Sequence, residues 1–187
     1  MFKKFFLVTL AACTFAACSN DDNNDTTTPP VQLPDGWVFA KTNTAIGDGA
    51  LTSSMHFFGT SAVRTMGSAK SDNQGATYTD PAAQFEITTA ADGKLYLYMH
   101  ATRFAAAMPP VEMRLAATST FAPNAVTMAE RMVVPENFVP ATSTWVANAK
   151  YTITELECKV TDTQCRVVFT CAGRFQVYYK GQLILKK

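Results

Sequence analysis

The chain has 187 residues, with 16 basic against 15 acidic side chains and a formal net charge of +1. Charge this balanced, with no basic block along the sequence, gives nothing for a nucleic acid to hold. The length suits one domain with a proper core, without metals or many disulfides.

The N-terminus carries Lys3 and Lys4, then an apolar run from Phe5 to Ala17, then Cys18. A charged start, an apolar middle and small residues before a cut are the parts of a secretory signal peptide. With the cut placed before a cysteine, the segment resembles a bacterial lipoprotein signal, in which that cysteine becomes the first mature residue and carries the lipid. Leu10-Ala11-Ala12-Cys13 fits the lipobox pattern better than Phe15-Ala16-Ala17-Cys18. A cut at Cys13, however, leaves only Phe5 to Ala12 as apolar core, near the short end of the roughly 7–15 residues expected. Cys18 is followed by an acidic, Asn-rich stretch, Ser19 to Asp25, and is the expected lipidation site. The run is far short of the ~20 apolar residues needed to span a bilayer.

Ser19-Asn20-Asp21-Asp22 is similar to the surface-export signal of lipoproteins from Bacteroides-like bacteria. That resemblance implies a lipid-anchored protein of the outer membrane, at the cell surface or alternatively at the periplasmic face. The membrane is then a partner through the anchor. The expected organisation is a signal peptide over 1–17, a lipidated cysteine and disordered acidic tether over 18–34, and one β-barrel domain over 35–187. The tether is rich in Asp, Asn, Thr and Pro, too polar to fold.

Within the domain, alternation of apolar and polar residues dominates and helical periodicity is nearly absent. Trp37 and Phe39 alternate, Met55 and Phe57 flank His56, and Phe85 and Ile87 alternate before Ala91-Asp92-Gly93. Asp-Gly between two alternating runs predicts a hairpin, with Lys94 to His100 as its second strand. On that strand Leu95, Leu97 and Met99 share one face and Tyr96, Tyr98 and His100 the other. Such a strand is covered on both sides or lines a cavity with its second face. Pro109-Pro110 ends any helical turn begun at Ala105, and Val111, Met113 and Leu115 resume the alternation.

From Ala116 to Thr144 the chain reads as irregular, broken by Pro123, Pro135 and Pro140, with one short strand at Met132 to Val134. Beyond it, Tyr151 to Val160 changes phase near Glu155, which predicts a bulge. A tight turn over Thr161 to Gln164 then leads to a strand from Cys165 to Cys171, another from Phe175 to Tyr179, and a turn at Lys180-Gly181. Eight to ten short strands at hairpin spacing make an all-β antiparallel meander, closed as a barrel of roughly eight strands or, alternatively, folded as a β-sandwich.

Chemistry-bearing residues are few. With Cys13 cut away and Cys18 lipidated, three cysteines remain, enough for one disulfide at most. With Asp162 and Thr163 at the turn centre, Cys158 and Cys165 are diagonal neighbours and the one pair able to bond. Cys171 is then expected as a buried free thiol. The alternative is that all three are small buried hydrophobes. The C-x6-C-x5-C spacing lacks a zinc knuckle. No G-x-S-x-G exists, His56 and His100 belong on polar strand faces, and Glu155 and Glu157 on a solvated one. No catalytic residue, metal or cofactor is assigned, and an enzyme is not expected. Ser71 to Tyr78 is similar to the Asp-box of sialidase-type propellers, but Asn73 replaces its key Asp and only one copy occurs. A polar hairpin loop is the simpler reading. Trp37, Tyr96, Tyr98 and Trp145 are the candidate ligand-binding residues, through stacking on a sugar or an apolar ligand. Their alternative place is the core or barrel wall.

Several stretches together look like the calycin-like (lipocalin-like) β-barrel lipoproteins of Bacteroides-type bacteria. They are the Asp92-Gly93 hairpin, Phe104-Ala105-Ala106-Ala107-Met108-Pro109-Pro110, Tyr151 to Leu156, and Phe169-Thr170-Cys171-Ala172-Gly173 running into Val177 to Gly181. The resemblance implies an eight-stranded barrel, filled by side chains or holding one small ligand. It carries no catalytic residues. The expected function is a non-enzymatic binding module for a small apolar or glycan ligand. The alternative is a structural or accessory lipoprotein that docks on a partner protein.

Overall fold

The computed structural model describes residues 33, 35–39, 62–89, 94–122, 125–161 and 164–186. The signal segment, Cys18, nearly all of the tether, the strand expected around His56 and the Asp92-Gly93 turn lie outside them. The strands are β1 (Trp37–Phe39), β2 (Ala62–Asn73), β3 (Ala76–Thr89), β4 (Leu95–Thr102), β5 (Val111–Ala122), β6 (Ala125–Val133), β7 (Glu136–Val139), β8 (Thr144–Ala147), β9 (Ile153–Thr161), β10 (Gln164–Cys171) and β11 (Phe175–Lys186). Each of β2, β3, β4, β5, β6, β9, β10 and β11 pairs antiparallel with the next, and β11 pairs back onto β2. The result is a closed eight-stranded antiparallel β-barrel, compatible with a calycin-like fold. Because β4 also pairs with β5, the ring has no gap there, and the sandwich alternative falls. The β7–β8 hairpin hangs from β5, and β1 adds to the end of β11.

Alternation decides which side chains enter the barrel. On β10 Cys165, Val167, Phe169 and Cys171 are buried, and on β11 Val177, Tyr179 and Leu183. Tyr179 lies at the centre, stacked on Phe85 at 4.1 Å with rings 3° from parallel. Its hydroxyl shares a 2.8 Å hydrogen bond with Thr65, whose hydroxyl in turn lies 3.1 Å from the carbonyl of Phe85. A phenol inside so narrow a barrel needs neighbours without side chains. A Cβ at Gly181 would overlap the Tyr179 hydroxyl, and one at Gly67 would overlap the Lys180 carbonyl. Gly181 is therefore mid-strand, opposite Cys165 and Gly67, and not in the turn expected at Lys180-Gly181. The close approach of backbone explains the glycine.

One end of the barrel is stoppered from within. The β4–β5 connection turns Phe104 inward, where it meets Phe169 edge-on at 5.8 Å and Phe175 at 6.1 Å. The Ser71 hydroxyl donates to the Phe104 carbonyl at 2.7 Å and fixes the loop in that position. Burial of a ring of this size contributes about 2–3 kcal/mol.

Three irregularities adjust the strands, one of them in the β2–β3 pairing between Gly67 and Ala69. In β4 the register shifts between Met99 and Thr102, with Ala101 at φ 45°, so that Thr102 is buried after Met99. In β9 Glu155 takes φ 51°, the bulge that the phase change predicted. Gln74 and Gly75, at φ 54° and 93°, form the tight turn between β2 and β3. The Asp-box-like stretch is thus a hairpin loop. The segment expected to be irregular, 116–144, is instead mostly strand. β5 continues to Ala122, and β6, β7 and β8 follow.

Candidate functional site

The predicted face of β4 points outward, not into a cavity. Leu95, Leu97 and Met99 are buried, and Tyr96, Tyr98 and His100 are half-exposed on the outer wall. β5 sets Ala116 opposite Tyr96 and Arg114 opposite Tyr98. The small Ala116 leaves room for the Arg114 guanidinium, whose carbon sits 5.0 Å from the Tyr96 ring centroid. The same carbon lies 4.5 Å from the Trp145 ring centroid.

Trp145 arrives there because β7 pairs with β5 at Arg114↔Glu136 and carries β8 alongside. The hairpin lays Trp145 edge-on to Tyr98 at 5.4 Å, with Phe138 at 5.3 Å on the same face. Arg114 is held in its plane by donating from Nε to Glu136 Oε2 at 2.6 Å and from the guanidinium to the Tyr98 hydroxyl at 3.3 Å. Burial disfavours its charge, but the bonds to Tyr98 and Glu136 outweigh that and raise its pKa.

A polar cluster continues the band. His100 stands 6.1 Å from Tyr98 with its ring nearly parallel. Its Nε2 is 2.9 Å from Glu86 Oε2 and its Nδ1 2.9 Å from Glu112 Oε2. Arg64 donates from Nε to Glu86 at 3.0 Å, and its Nη2 is 3.1 Å from His100 Nε2. A neutral ring donates from Nδ1 to Glu112 and accepts from Arg64; a protonated one donates to both carboxylates. Burial is the largest influence on Glu86 and raises its pKa. The hydrogen bond from His100 and the charges of Arg64 and His100 together outweigh it, and the net shift is downward. Glu112 also accepts from the Ala101 N–H at 2.7 Å, the donor freed by the β4 bulge.

Compared with protein-family models, curated proteins and solved structures, the chain matches none.

Three of the four predicted ligand-binding residues, Tyr96, Tyr98 and Trp145, meet in this cluster. Trp37 belongs to another strand: β1 pairs it with Lys186 of β11, and β11, β2 and β3 separate β1 from β4. Sequence reasoning missed Arg114, Glu136 and Phe138. The signal for Arg114 was its outward place between Met113 and Leu115 on a strand beside the tyrosines. Nothing in the sequence paired Glu136 with it across 22 residues.

Cys158, Cys165 and Cys171 are all buried and free. The register is the one expected, Cys165 opposite Val160 and Cys158 opposite Val167. Diagonal placement leaves the first two as hydrogen-bonded thiols, and of the two alternatives, a Cys158–Cys165 bond or free buried cysteines, this structure has the second. That hydrogen bond and burial raise the Cys158 pKa. Cys171 faces the core opposite Ile153, and burial pushes its thiol up to about 12 against the opposing charge of Arg174. Thiols so protonated are poor nucleophiles. Among the described residues no three His, Cys, Asp or Glu are placed to hold a metal ion. His100 cannot nucleate such a site with Glu86 and Glu112, because its two nitrogens point to opposite sides.

Proposed function

We propose that this protein is an exported, lipid-anchored member of the calycin-like barrel lipoproteins and works as a non-enzymatic glycan-binding module. In this reading the anchor is Cys18 at the outer membrane and the ligand lies on the outer wall, not in the lumen. The observation that carries it is the band of Tyr96, Tyr98 and Trp145 around Arg114, beside the Glu86–His100–Glu112 row. Aromatic faces stack on the C–H face of a sugar ring, and neighbouring carboxylates and a guanidinium suit its hydroxyls. The charges there compensate one another, which favours a neutral sugar. The lumen is occupied by Tyr179, Phe85, Phe169 and Phe104, which removes the support for an apolar ligand inside the barrel.

Glycan-array screening of the full mature lipoprotein in detergent tests this, followed by calorimetry with the tightest neutral glycan. Tyr96→Ala should weaken binding severalfold while circular dichroism stays unchanged. Binding that ignores this substitution, or no neutral glycan bound at all, rejects the reading. Docking on a partner protein is the second reading. It is favoured by apolar side chains left in solvent near the hairpin, Met132 at 67%, Val134 at 44% and Val146 at 50% exposure.

A further inference from the structure

The wall formed by β9, β10 and β11 differs in kind from the aromatic wall. On the latter, cross-strand neighbours are of opposite charge: Arg64 pairs with Glu86 and Arg114 with Glu136. On the former, Lys159 is directly opposite Arg166, and Arg166 is directly opposite Lys180. Three cations thus stand in one row across three adjacent strands, all exposed. Like charges directly opposite in a sheet destabilise it. Among the described residues, no ion pair relieves any of them.

The adjoining row supplies different chemistry. Glu157, Val168, Tyr178 and Lys70 follow one another across β9, β10, β11 and β2. Val168 and Tyr178 are each 40% exposed, and the Arg166 guanidinium lies 5.6 Å from the Tyr178 centroid. On β6 the outer positions Thr127 and Ala129 are small. They leave an open trough of about 390 Å³ between themselves and Glu157, Lys159, Arg166 and Val168, so that one carboxylate stands at the edge of the cationic row. Beyond the two rows the wall carries amides and hydroxyls, the Gln164–Gln182 pair on one side and the Thr170–Gln176 pair on the other.

We propose that this wall is a second binding site, for a linear anionic polysaccharide. Its acid groups run along Lys159, Arg166 and Lys180, and its sugar rings lie on Tyr178 and Val168. Neighbouring strands are roughly 4.8 Å apart, so the row offers a cation about once per sugar ring along a chain that crosses the strands. A membrane surface fits less well. Interfacial binding buries protruding apolar side chains among the lipids, whereas here the flanks are amides and hydroxyls. The site shares no residue with the β4–β5 cluster and does not rest on that reading.

The test compares three probes on the full mature lipoprotein in detergent: polygalacturonate, neutral dextran, and phosphatidylglycerol vesicles. Polygalacturonate should bind at low salt and weaken as salt screens the contact, and dextran should not compete for this site. A variant combining Lys159→Gln, Arg166→Gln and Lys180→Gln should lose about fivefold for each cation removed. It should stay at least as stable as the parent, because repulsion is relieved. Arg103→Gln, Lys150→Gln and Arg174→Gln together remove the same charge elsewhere and should leave affinity within about twofold. Lys159→Arg with Lys180→Arg should retain binding. Equal losses in both triple variants would reduce the effect to net charge and overturn the proposal. So would vesicle binding without polygalacturonate binding, or no polygalacturonate binding at low salt.

Discussion

Glu86 shows how single residues hold the outer wall. Its carboxylate joins three strands, taking a bond from Arg64 on β2 and facing His100 on β4, with 18% of its side chain exposed. Its folded pKa is lowered, so the stability it contributes is present above the unfolded value and is lost as pH falls through the folded one. Glu86→Gln keeps the shape but removes the charge that both partners need. Urea denaturation at pH 7 should show the variant less stable by about 1–2 kcal/mol. The gap should narrow below pH 4.5, the ordinary value for this carboxyl, as the wild-type group itself protonates. An equal gap at pH 7 and pH 3 would show that shape and not charge is at stake. Residue-level periodicity placed His100 on the polar face of its strand. Its carboxylate partners come from β3 and β5, and only pairing brings them near.

At the scale of elements, the β7–β8 hairpin builds the candidate site, and it is the part the sequence concealed. Pro135 and Pro140 flank β7, and the two strands are four residues each, too short for alternation to register. What fixes the hairpin is tertiary: Trp145 against Tyr98, Phe138 and Arg114, with the Asn148 amide donating to the Pro135 carbonyl at 2.8 Å. β4, β9 and β10 were legible because each alternates over eight or nine residues with one face in the core. The same contrast explains why Tyr96, Tyr98 and Trp145 could be named but not their meeting place. Trp145→Ala removes two ring pairs and one cation–π contact, together about 2–3 kcal/mol. Hydrogen exchange should quicken at the amides of residues 136–147 while those of β9 to β11 stay protected. Uniform loss of protection would mean that the hairpin is integral to the barrel.

At the scale of the molecule, closure into a filled barrel leaves function to the outer wall, the barrel ends and the tether. β1 pairs with the last residues of β11, at the end of the barrel opposite the Phe104 stopper. With the proposed anchor at Cys18, the chain would enter the barrel at the β1 end, and the stoppered end and the hairpin would face away from the membrane. The proposed anchor rests on the sequence alone: Ala16-Ala17 before Cys18 and the acidic stretch after it. The internal cysteines are no rivals for the lipid. Cys158, Cys165 and Cys171 are buried, and the shifted thiols of Cys158 and Cys171 stay protonated at neutral pH. Feeding cells a clickable fatty-acid analogue should therefore label the wild-type protein. Cys18→Ala should lose both the label and the membrane fraction, whereas Cys13→Ala should keep them. If Cys13→Ala alone abolishes labelling, the anchor is Cys13 and the tether is longer by five residues, Cys13 to Ala17.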